Sequence, residues 1–454
     1  MTRYGGGMSN VSTRSNRNQI TAWALWDWAS AAFNAVVTTF VFSVYISNAD
    51  LFGDNANTNL GYTMSAAGIL VAIIAPVVGQ SVDRSGKRRN LIFFTTLITI
   101  LATAGLAFVR PDESYLWLGL LILAVGNIAF ETGSVVYNAM LSDISTPKTI
   151  GKISGIGWGL GYVGGIVLML VLYVGIIGPE VGWFGITSED SWDIRISMVI
   201  CDVWTLVFSL TLMLFAKDSK QKSTERVGIF DSYRELFNSI ARLWRKDRSV
   251  VWFLISSAIF RDGLAGVFAF GGVLAAAAFG FSSSEVLVFG IVANLVAGIA
   301  TIAFGYLDDR LGSRPLILFS LGSMIVLGTI IFILHDGGPM VFWTCGLLLC
   351  VFVGPTQSSS RTYLARIIPP GEEGEIFGLY ATTGRAVSFL SPFMYSTSIA
   401  IGASVIGSSR DDAAYFGILG IIIVLLAGFI AFFRVRTPKS ALVESASQSD
   451  PFSN

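Results

Sequence analysis

Twelve stretches of about 20 mostly apolar residues follow one another along this 454-residue chain, and each is long enough to cross a bilayer. Apolar residues make up 53% of the chain and charged residues 13%, about half the charged share of an ordinary soluble domain. The sequence therefore predicts an all-α membrane protein and excludes a soluble enzyme, a disordered chain and a disulfide scaffold. The stretches cover roughly residues 22–47, 61–82, 91–109, 115–139, 153–177, 195–216, 249–279, 285–307, 315–334, 340–363, 377–401 and 413–433.

Basic residues set the predicted orientation of the spans, because cytoplasmic loops carry an excess of Lys and Arg. Of the 30 Lys and Arg residues, only Arg110, Arg195 and Arg410 fall on one side of the predicted bundle. Arg261 and Arg385 lie within spans, and the others lie in the loops, span ends and termini of the opposite side. We therefore predict that this basic side and both termini are cytoplasmic, as an even number of spans requires.

The connecting loops are short except for one central loop, which divides the chain. We predict an N-terminal cytoplasmic segment over 1–21, six-helix bundles over 22–216 and 249–433, a linker over 217–248 and a tail over 434–454. Apolar residues recur in the linker at helical spacing: Phe230, Tyr233, Leu236, Phe237, Ile240, Leu243 and Trp244. This pattern predicts an amphipathic helix that either lies on the inner membrane surface or packs on the cytoplasmic face of the bundle.

The two predicted bundles share internal sequence matches. Gly79-x-x-x-Asp83-Arg84-x-Gly86-Lys87-Arg88 follows span 2, and Gly305-x-x-x-Asp309-Arg310-x-Gly312-x-Arg314 follows span 8. A second match after spans 4 and 10 aligns Asp143, Gly151 and Gly155 with Arg366, Gly374 and Gly378 at nearly the same offset. Two matches separated by about half the chain indicate a duplication of six spans, in parallel repeat.

The loop after span 2 carries a resemblance to a known superfamily. Residues 79–89, GQSVDRSGKRR, are similar to the loop signature of major facilitator transporters. The resemblance implies twelve helices in two pseudo-repeats and loops that latch the halves in one access state. Glycine permits a tight turn and close helix approach, and aspartate can cap a neighbouring helix N-terminus. The implied gating residues are Gly79, Asp83, Arg84, Gly86, Arg88, Gly305, Asp309, Arg310 and Gly312.

A narrower resemblance covers nearly the whole chain. Residues 23–33 (WALWDWASAAF), 260–263 (FRDG) with 270–272 (FGG), and 354–361 (GPTQSSSR) are similar to fungal vacuolar amino-acid effluxers and their bacterial relatives. Trp26 and Ser30 stand where that branch usually has tyrosine and asparagine. The resemblance implies secondary transport by alternating access, with amino acids or other small zwitterions as the substrate class.

Ionisable residues inside the spans give the strongest functional signal, because each costs about 2.5–3.5 kcal/mol at a helix centre on the insertion scale. The predicted spans hold Asp27, Glu131, Asp202, Asp262, Arg261 and Arg385, and Arg361 lies near the inner end of span 10. The acids outnumber the bases, and a carboxylate without a cation is favoured in its neutral form and could carry a proton. Asp202 lies on span 6, where we expect a structural role.

Depth and helical spacing group these side chains. At about 1.5 Å per residue, Asp27, Glu131 and Arg385 lie about 8–13 Å from the cytoplasmic edge, so they could meet in one layer. Arg385 is then either an anchor for a substrate anion or a structural partner of Glu131. Polar residues also share helix faces on spans 1, 4, 7 and 10, which line the cavity in the resembled fold. The predicted substrate or proton pathway comprises Asp27, Asn34, Asn127, Glu131, Asn138, Arg261, Asp262, Gln357, Arg361 and Arg385, with structural hydrogen bonding as the alternative for the Ser and Asn positions.

These observations lead us to expect a secondary transporter of a small solute, with proton-coupled efflux of an amino acid as the hypothesis. We expect no cofactor, no metal site and no enzymatic activity, because the sequence has no Walker-type loop and its single histidine, His335, falls in an outer loop. We also expect contacts with membrane lipids, no nucleic-acid partner, a monomer and the cell membrane as its location. The alternatives are an exporter of lipophilic drugs or lipids and a non-transporting receptor or assembly partner with the same fold.

Overall fold

A computed structural model describes residues 7–216, 218, 229–246, 248–369, 371–409 and 412–435 of the chain. The predictions for the start of the N-terminal segment, for the first part of the linker and for nearly all of the tail lie outside these residues. The side chains of Phe230 and Phe237 and the whole of Arg410 are also outside the described part.

The described part of the chain is helical without strands, and twelve of its helical segments are long and apolar enough to cross a membrane. The predicted all-α, twelve-span membrane fold is therefore confirmed. Spans 1–12 are Arg17–Ile46, Ala56–Ser85, Arg88–Leu106, Glu113–Ile144, Ile150–Ile177, Glu189–Phe215, Arg248–Phe279, Val288–Leu311, Ser313–Ile333, His335–Ile367, Glu373–Ile406 and Ala414–Phe432.

In the described residues, four spans contain a π-helical segment or a break between α-helices: spans 5 and 10 contain π-helical segments over Tyr173–Ile177 and Phe342–Gly346, and spans 1 and 11 are interrupted as follows. Span 1 changes from an α-helix over Gly7–Ala31 to a π-helical segment over Ala32–Phe40, followed by a short α-helix over Phe42–Ile46. Span 11 consists of two helices, Glu373–Val387 and Leu390–Ile406. Pro392 lies in the first turn of the second helix, where proline is tolerated, and its ring clashes with continuation of the preceding helix.

The two six-span halves meet mainly along two helix pairs. Span 2 packs against span 11, and span 5 packs against span 8. In the first pair, Pro76 deprives the Ala72 carbonyl of its helical donor, and the Thr382 hydroxyl of span 11 donates to that oxygen at 2.8 Å. Between spans 5 and 10, the Ser154 and Ser358 hydroxyls are 3.0 Å apart and buried. The contacts join the halves from the basic side to the middle of the bundle.

On the opposite side, span 11 continues as its second helix, Leu390–Ile406, which packs mainly on spans 7 and 12 of its own half. One side of this helix, including Pro392, Phe393, Ser396 and Ala400, lines an open groove. Phe393 is 60% exposed. The structure is therefore closed on the basic side and open on the other, which is an outward-facing state if the basic side is cytoplasmic.

The linker contains a helix over Ile229–Lys246 that packs on the bundle. Leu236 and Leu243 are buried, and the Tyr233 hydroxyl donates to the Ile73 carbonyl of span 2 at 2.8 Å. Glu235 pairs with Arg84 at 2.7 Å. The sequence predicted that this amphipathic helix lies either on the membrane surface or on the bundle. These contacts agree with packing on the bundle.

Candidate functional site

The geometry of the closed side comes from two aspartates, each capping a helix of the other half. Asp83, at the end of span 2, accepts a hydrogen bond from the backbone N–H of Glu375 at 2.9 Å. Asp309, at the end of span 8, accepts from the N–H groups of Gly151 and Lys152 at 2.7 and 2.8 Å. The first-turn amides of a helix lack internal acceptors and carry partial positive charge, so a carboxylate stabilises them. The two sequence repeats therefore form matching links between the halves.

Glycines allow these links to close. A Cβ atom placed on Gly79 would lie 2.0 Å from the Gly374 carbonyl oxygen, and one on Gly305 would lie 2.8 Å from the Gly151 carbonyl oxygen. Both pairs follow the alignment of the two repeats. Gly86 and Gly312 end spans 2 and 8 with φ of +70° and +84°, which other residues rarely adopt.

The arginines of the two links occupy different positions in the two halves. Arg88 is 2% exposed, and its Nη2 lies 2.9 Å from both Asp83 and Glu373. In the other half, Arg366 pairs with Asp308 and with Asp309, the latter at 3.0 Å. Arg366 aligns with Asp143, which itself pairs with Arg88. Each half of the duplication therefore has an ion pair in its link, but the arginine comes from the start of span 3 in one half and from the end of span 10 in the other.

We predict that Asp309→Ala destabilises the closed side by about 0.5–2 kcal/mol, the usual loss for a helix cap. The variant leaves the Gly151 and Lys152 amides without their acceptor. The melting temperature of the purified protein measures the effect. Arg310→Ala is the matched control, because the neighbouring Arg310 side chain is exposed. Equal melting temperatures for the two variants would contradict the capping role of Asp309.

Above the links, a buried ion pair joins the two halves. The Arg361 side chain of span 10 is 2% exposed, and its Nη1 lies 3.4 Å from the Asp27 carboxylate of span 1. The same guanidinium donates to the Ser154 hydroxyl at 3.0 Å, to the Ser154 carbonyl at 2.7 Å and to the Asn138 side chain at 3.3 Å. Arg361 thus belongs to one half by sequence and bonds to three spans of the other.

Aromatic rings enclose this pair. The Arg361 guanidinium carbon lies 4.9, 5.8 and 5.0 Å from the ring centroids of Trp23, Tyr137 and Trp158. Trp23 and Tyr137 stack at 4.4 Å, and the Trp23 indole donates to the Tyr137 carbonyl at 3.0 Å. Trp23 of span 1 therefore faces the protein interior, and the three rings shield the pair from water.

A second ion pair lies farther from the basic side. Arg385 of span 11 contacts the Glu131 carboxylate of span 4, with side-chain exposures of 35% and 26%. Glu131 precedes Asn138 by seven residues, so this pair is about 10 Å from the Arg361 layer along the helix. Both layers link opposite halves, but the first is sealed and the second is accessible from the open side.

Arg261 and Asp262 are adjacent in span 7 and have separate partners. The Arg261 guanidinium lies on the Tyr380 ring, 3.7 Å from its centroid, and donates to the Tyr380 carbonyl at 3.2 Å. The Asp262 carboxylate accepts from the N–H of Ser391 at 2.6 Å, and the Ser391 hydroxyl donates to the Asp262 carbonyl at 2.9 Å. Asp262 therefore caps the second helix of span 11.

The remaining predicted pathway residues are less tightly placed. Asn127 is buried, Asn34 is exposed and Gln357 is half-buried. Sequence reasoning did not select Ser154, Tyr137, Trp158 or Tyr380, which hold the arginines in position. Ser154 lies between Gly151 and Gly155 in the repeated segment, and Tyr137 is adjacent to Asn138. Proximity to the repeated segments was thus the available signal for Ser154 and for Tyr380, which lies two residues after Gly378. The signal for Tyr137 was its neighbour Asn138, and Trp158 had none.

Twelve spans in two repeats, closed by paired loop motifs and joined by ion pairs between the halves, define a transporter of the major facilitator type and not an enzyme. The chain belongs to the family described as vacuole effluxer Atg22 like, whose profile matches residues 54–442. It is therefore a multi-pass membrane protein with twelve candidate spans.

Relatives and solved structures agree with this assignment. The chain is 26% identical to an uncharacterized MFS-type transporter, YxiO, of Bacillus subtilis (strain 168), over 91% of this chain and 94% of that protein. It is 23% identical to autophagy-related protein 22-1 of Aspergillus fumigatus over 60% of this chain, and the match spans about half, 46%, of that longer protein. Its fold is similar to that of the human organic anion transporter MFSD10, with a TM-score of 0.69, 15% identity and coverage of 92% and 99% of the two chains.

Proposed function

We propose that this transporter moves an amino acid or a similar small zwitterion by alternating access. We further propose that the solute moves in the direction of efflux and that this movement is coupled to protons. The observation that carries the proposal is the pair of ion-pair layers, Asp27–Arg361 and Glu131–Arg385, each with its acid in one half and its base in the other. Opening the basic side separates the halves, so both pairs must change partners during a transport cycle.

The sealed pair suits proton coupling. If Arg361 leaves with its half, Asp27 remains among Trp23, Tyr137 and Trp158 without a cation, and an unpaired buried charge costs about 3–5 kcal/mol. Uptake of a proton removes that cost. Proton binding at Asp27 would therefore favour the state in which the closed side has opened.

The accessible pair suits a zwitterion. An ammonium group can replace Arg385 at the Glu131 carboxylate, while a carboxylate can replace Glu131 at the Arg385 guanidinium. A solute carrying both groups compensates both partners at once. A solute with one charged group leaves the other side chain unpaired, which disfavours it.

Proteoliposomes with an imposed pH gradient and a labelled amino-acid mixture test the proposal. We expect gradient-driven flux in the wild type and a loss of about 100-fold in Asp27→Asn and in Glu131→Gln, since about 3 kcal/mol corresponds to that factor. Asp336→Asn is the matched control, because that carboxylate is 94% exposed outside the bundle.

The other outcomes separate the alternatives. Intact gradient-driven flux in both variants would refute proton coupling through these acids. Absence of amino-acid flux, combined with export of a lipophilic dye, would favour the lipophilic substrate class. Folded protein that moves neither amino acids nor the dye would favour a non-transporting role.

We further propose the cell membrane as its location and the monomer as its functional state, testable by fractionation and by mass measurement in detergent.

A further inference from the structure

We propose that Arg261, held on Tyr380, binds the carboxylate of the transported solute; the inference rests on the proposed function and names the residue that recognises its substrate class. Three arginines belong to the predicted pathway: Arg261, Arg361 and Arg385. Arg361 lies near the basic end of span 10, and Arg261 and Arg385 lie farther from the basic side. Arg361 and Arg385 are paired with carboxylates of the opposite half. Within the part of the chain that the structure describes, Arg261 forms no ion pair.

The charge of Arg261 is not balanced by its sequence neighbour. The Asp262 carboxylate points to the start of the second helix of span 11, where it accepts the Ser391 N–H at 2.6 Å. Arg261 instead contacts the first helix of span 11 through Tyr380. The Glu131–Arg385 pair is neutral in sum and Asp262 is engaged at Ser391, so Arg261 is the charged group of this layer that no described carboxylate contacts.

The guanidinium is positioned but not saturated. A guanidinium has five N–H donors, and one of them is used for the Tyr380 carbonyl at 3.2 Å. The ring beneath it is fixed, because the Tyr380 hydroxyl lies 2.8 Å from the Ser360 hydroxyl. Gly384 leaves room beside it, since a Cβ there would lie 3.4 Å from Nη1. The remaining donors suit the two oxygens of a carboxylate, which arginine binds in bidentate geometry.

The depth of Arg261 places this site at the level of the accessible ion pair. Arg261 lies 13 residues after the start of span 7 at Arg248, and Arg385 lies 12 residues after the start of span 11 at Glu373. At about 1.5 Å per residue, both are about 18–20 Å from the basic side. We therefore infer that the ammonium of a small solute contacts Glu131 and that its carboxylate is shared by Arg385 and Arg261.

Ligand-induced thermal stabilisation of the purified protein tests this inference, because a ligand that binds only the folded state raises its stability. The probes are L-amino acids, the matching amino-acid amides, which lack the carboxylate, and acetate and lactate, which lack the ammonium. We expect the acids but not the amides to stabilise the wild type. Arg261→Gln should lose this response by at least about tenfold in apparent affinity, with a smaller loss in Arg261→Lys.

Arg434→Gln is the matched control, because Arg434 also stacks on a ring, that of Trp252 at 4.7 Å, but lies at the basic end of span 12. An unchanged response in Arg261→Gln, or equal stabilisation by acids and amides, would overturn the inference while leaving amino-acid transport standing. Stabilisation by acetate and lactate alone, lost in Arg261→Gln, would support the anion site and refute the amino-acid proposal. No stabilisation by any probe would overturn both the Arg261 inference and the amino-acid proposal. An unliganded melting temperature equal to that of the wild type confirms that Arg261→Gln is folded.

Discussion

Replacing Arg361 with glutamine is expected to lower the stability of the observed closed state by about 3–5 kcal/mol, the usual cost of breaking a buried ion pair. The guanidinium is 2% exposed, and it connects span 10 to Asp27, Asn138 and Ser154 of the other half. Glutamine retains hydrogen-bonding capacity but leaves the Asp27 carboxylate without a cation. The loss should therefore appear as opening of the basic side rather than as global unfolding alone.

A cysteine at Ser358 reports this opening in a background lacking the three native cysteines. Ser358 is 3% exposed and meets Ser154 across the boundary between the halves. We expect slow maleimide labelling of Ser358→Cys alone and at least about tenfold faster labelling when Arg361→Gln is added, because each 1.4 kcal/mol changes a population ratio tenfold.

The double variant Asp27→Asn with Arg361→Gln distinguishes charge from packing. Removing both charges leaves no buried ion, so the double variant should recover a substantial part of the stability. If Arg361→Gln has wild-type melting temperature and labelling rate, the pair does not hold the halves together. If the double variant is as unstable as the single one, the aromatic packing around Arg361 carries the effect.

The sequence was sufficient to predict the large-scale organisation, for physical reasons. Apolar runs of bilayer length admit no solution other than spans, and two motifs repeated at half the chain length indicate two equivalent bundles. The capping role of aspartates such as Asp83 and Asp309 follows from the charge at helix starts. In the structure both cap helices of the opposite half.

The sequence did not allow prediction of which embedded charges pair with each other. Depth alone grouped Asp27, Glu131 and Arg385 in one layer, whereas in the structure Asp27 contacts Arg361 and only Glu131 contacts Arg385. Partner choice depends on how each helix is rotated and on which helices are adjacent, and neither follows from periodicity within one span. Local irregularities also matter, because the π-helical segment of span 1 changes which residues share a helix face beyond Ala32. Pro392 offered a signal for the break in span 11, but nothing nearby indicated that Asp262 would cap it.

Gly79→Ala should strongly reduce transport by hindering closure of the basic side. The added methyl group would lie 2.0 Å from the Gly374 carbonyl oxygen and 2.4 Å from its carbon. Both neighbours are backbone atoms, so no rotamer change relieves the overlap, and spans 2 and 11 must move apart. Overpacking of this kind costs about 1–3 kcal/mol or more, and the separation also removes the Asp83 cap on span 11. We expect at least about a 10-fold loss of flux in proteoliposomes, and faster labelling of Ser358→Cys.

Gly61→Ala supplies the matched control on the same helix, because no atom lies within 4 Å of a Cβ at that position. It carries the same change in helix propensity, so a difference between the two variants isolates the contact with Gly374. Gly305→Ala, in the second repeat, should act in the same direction with a smaller effect, since its Cβ would lie 2.8 Å from the Gly151 carbonyl. Normal flux with a protected Ser358→Cys in Gly79→Ala would show that the halves need not approach this closely. Loss of flux without increased labelling would place the defect elsewhere than in closure of the basic side.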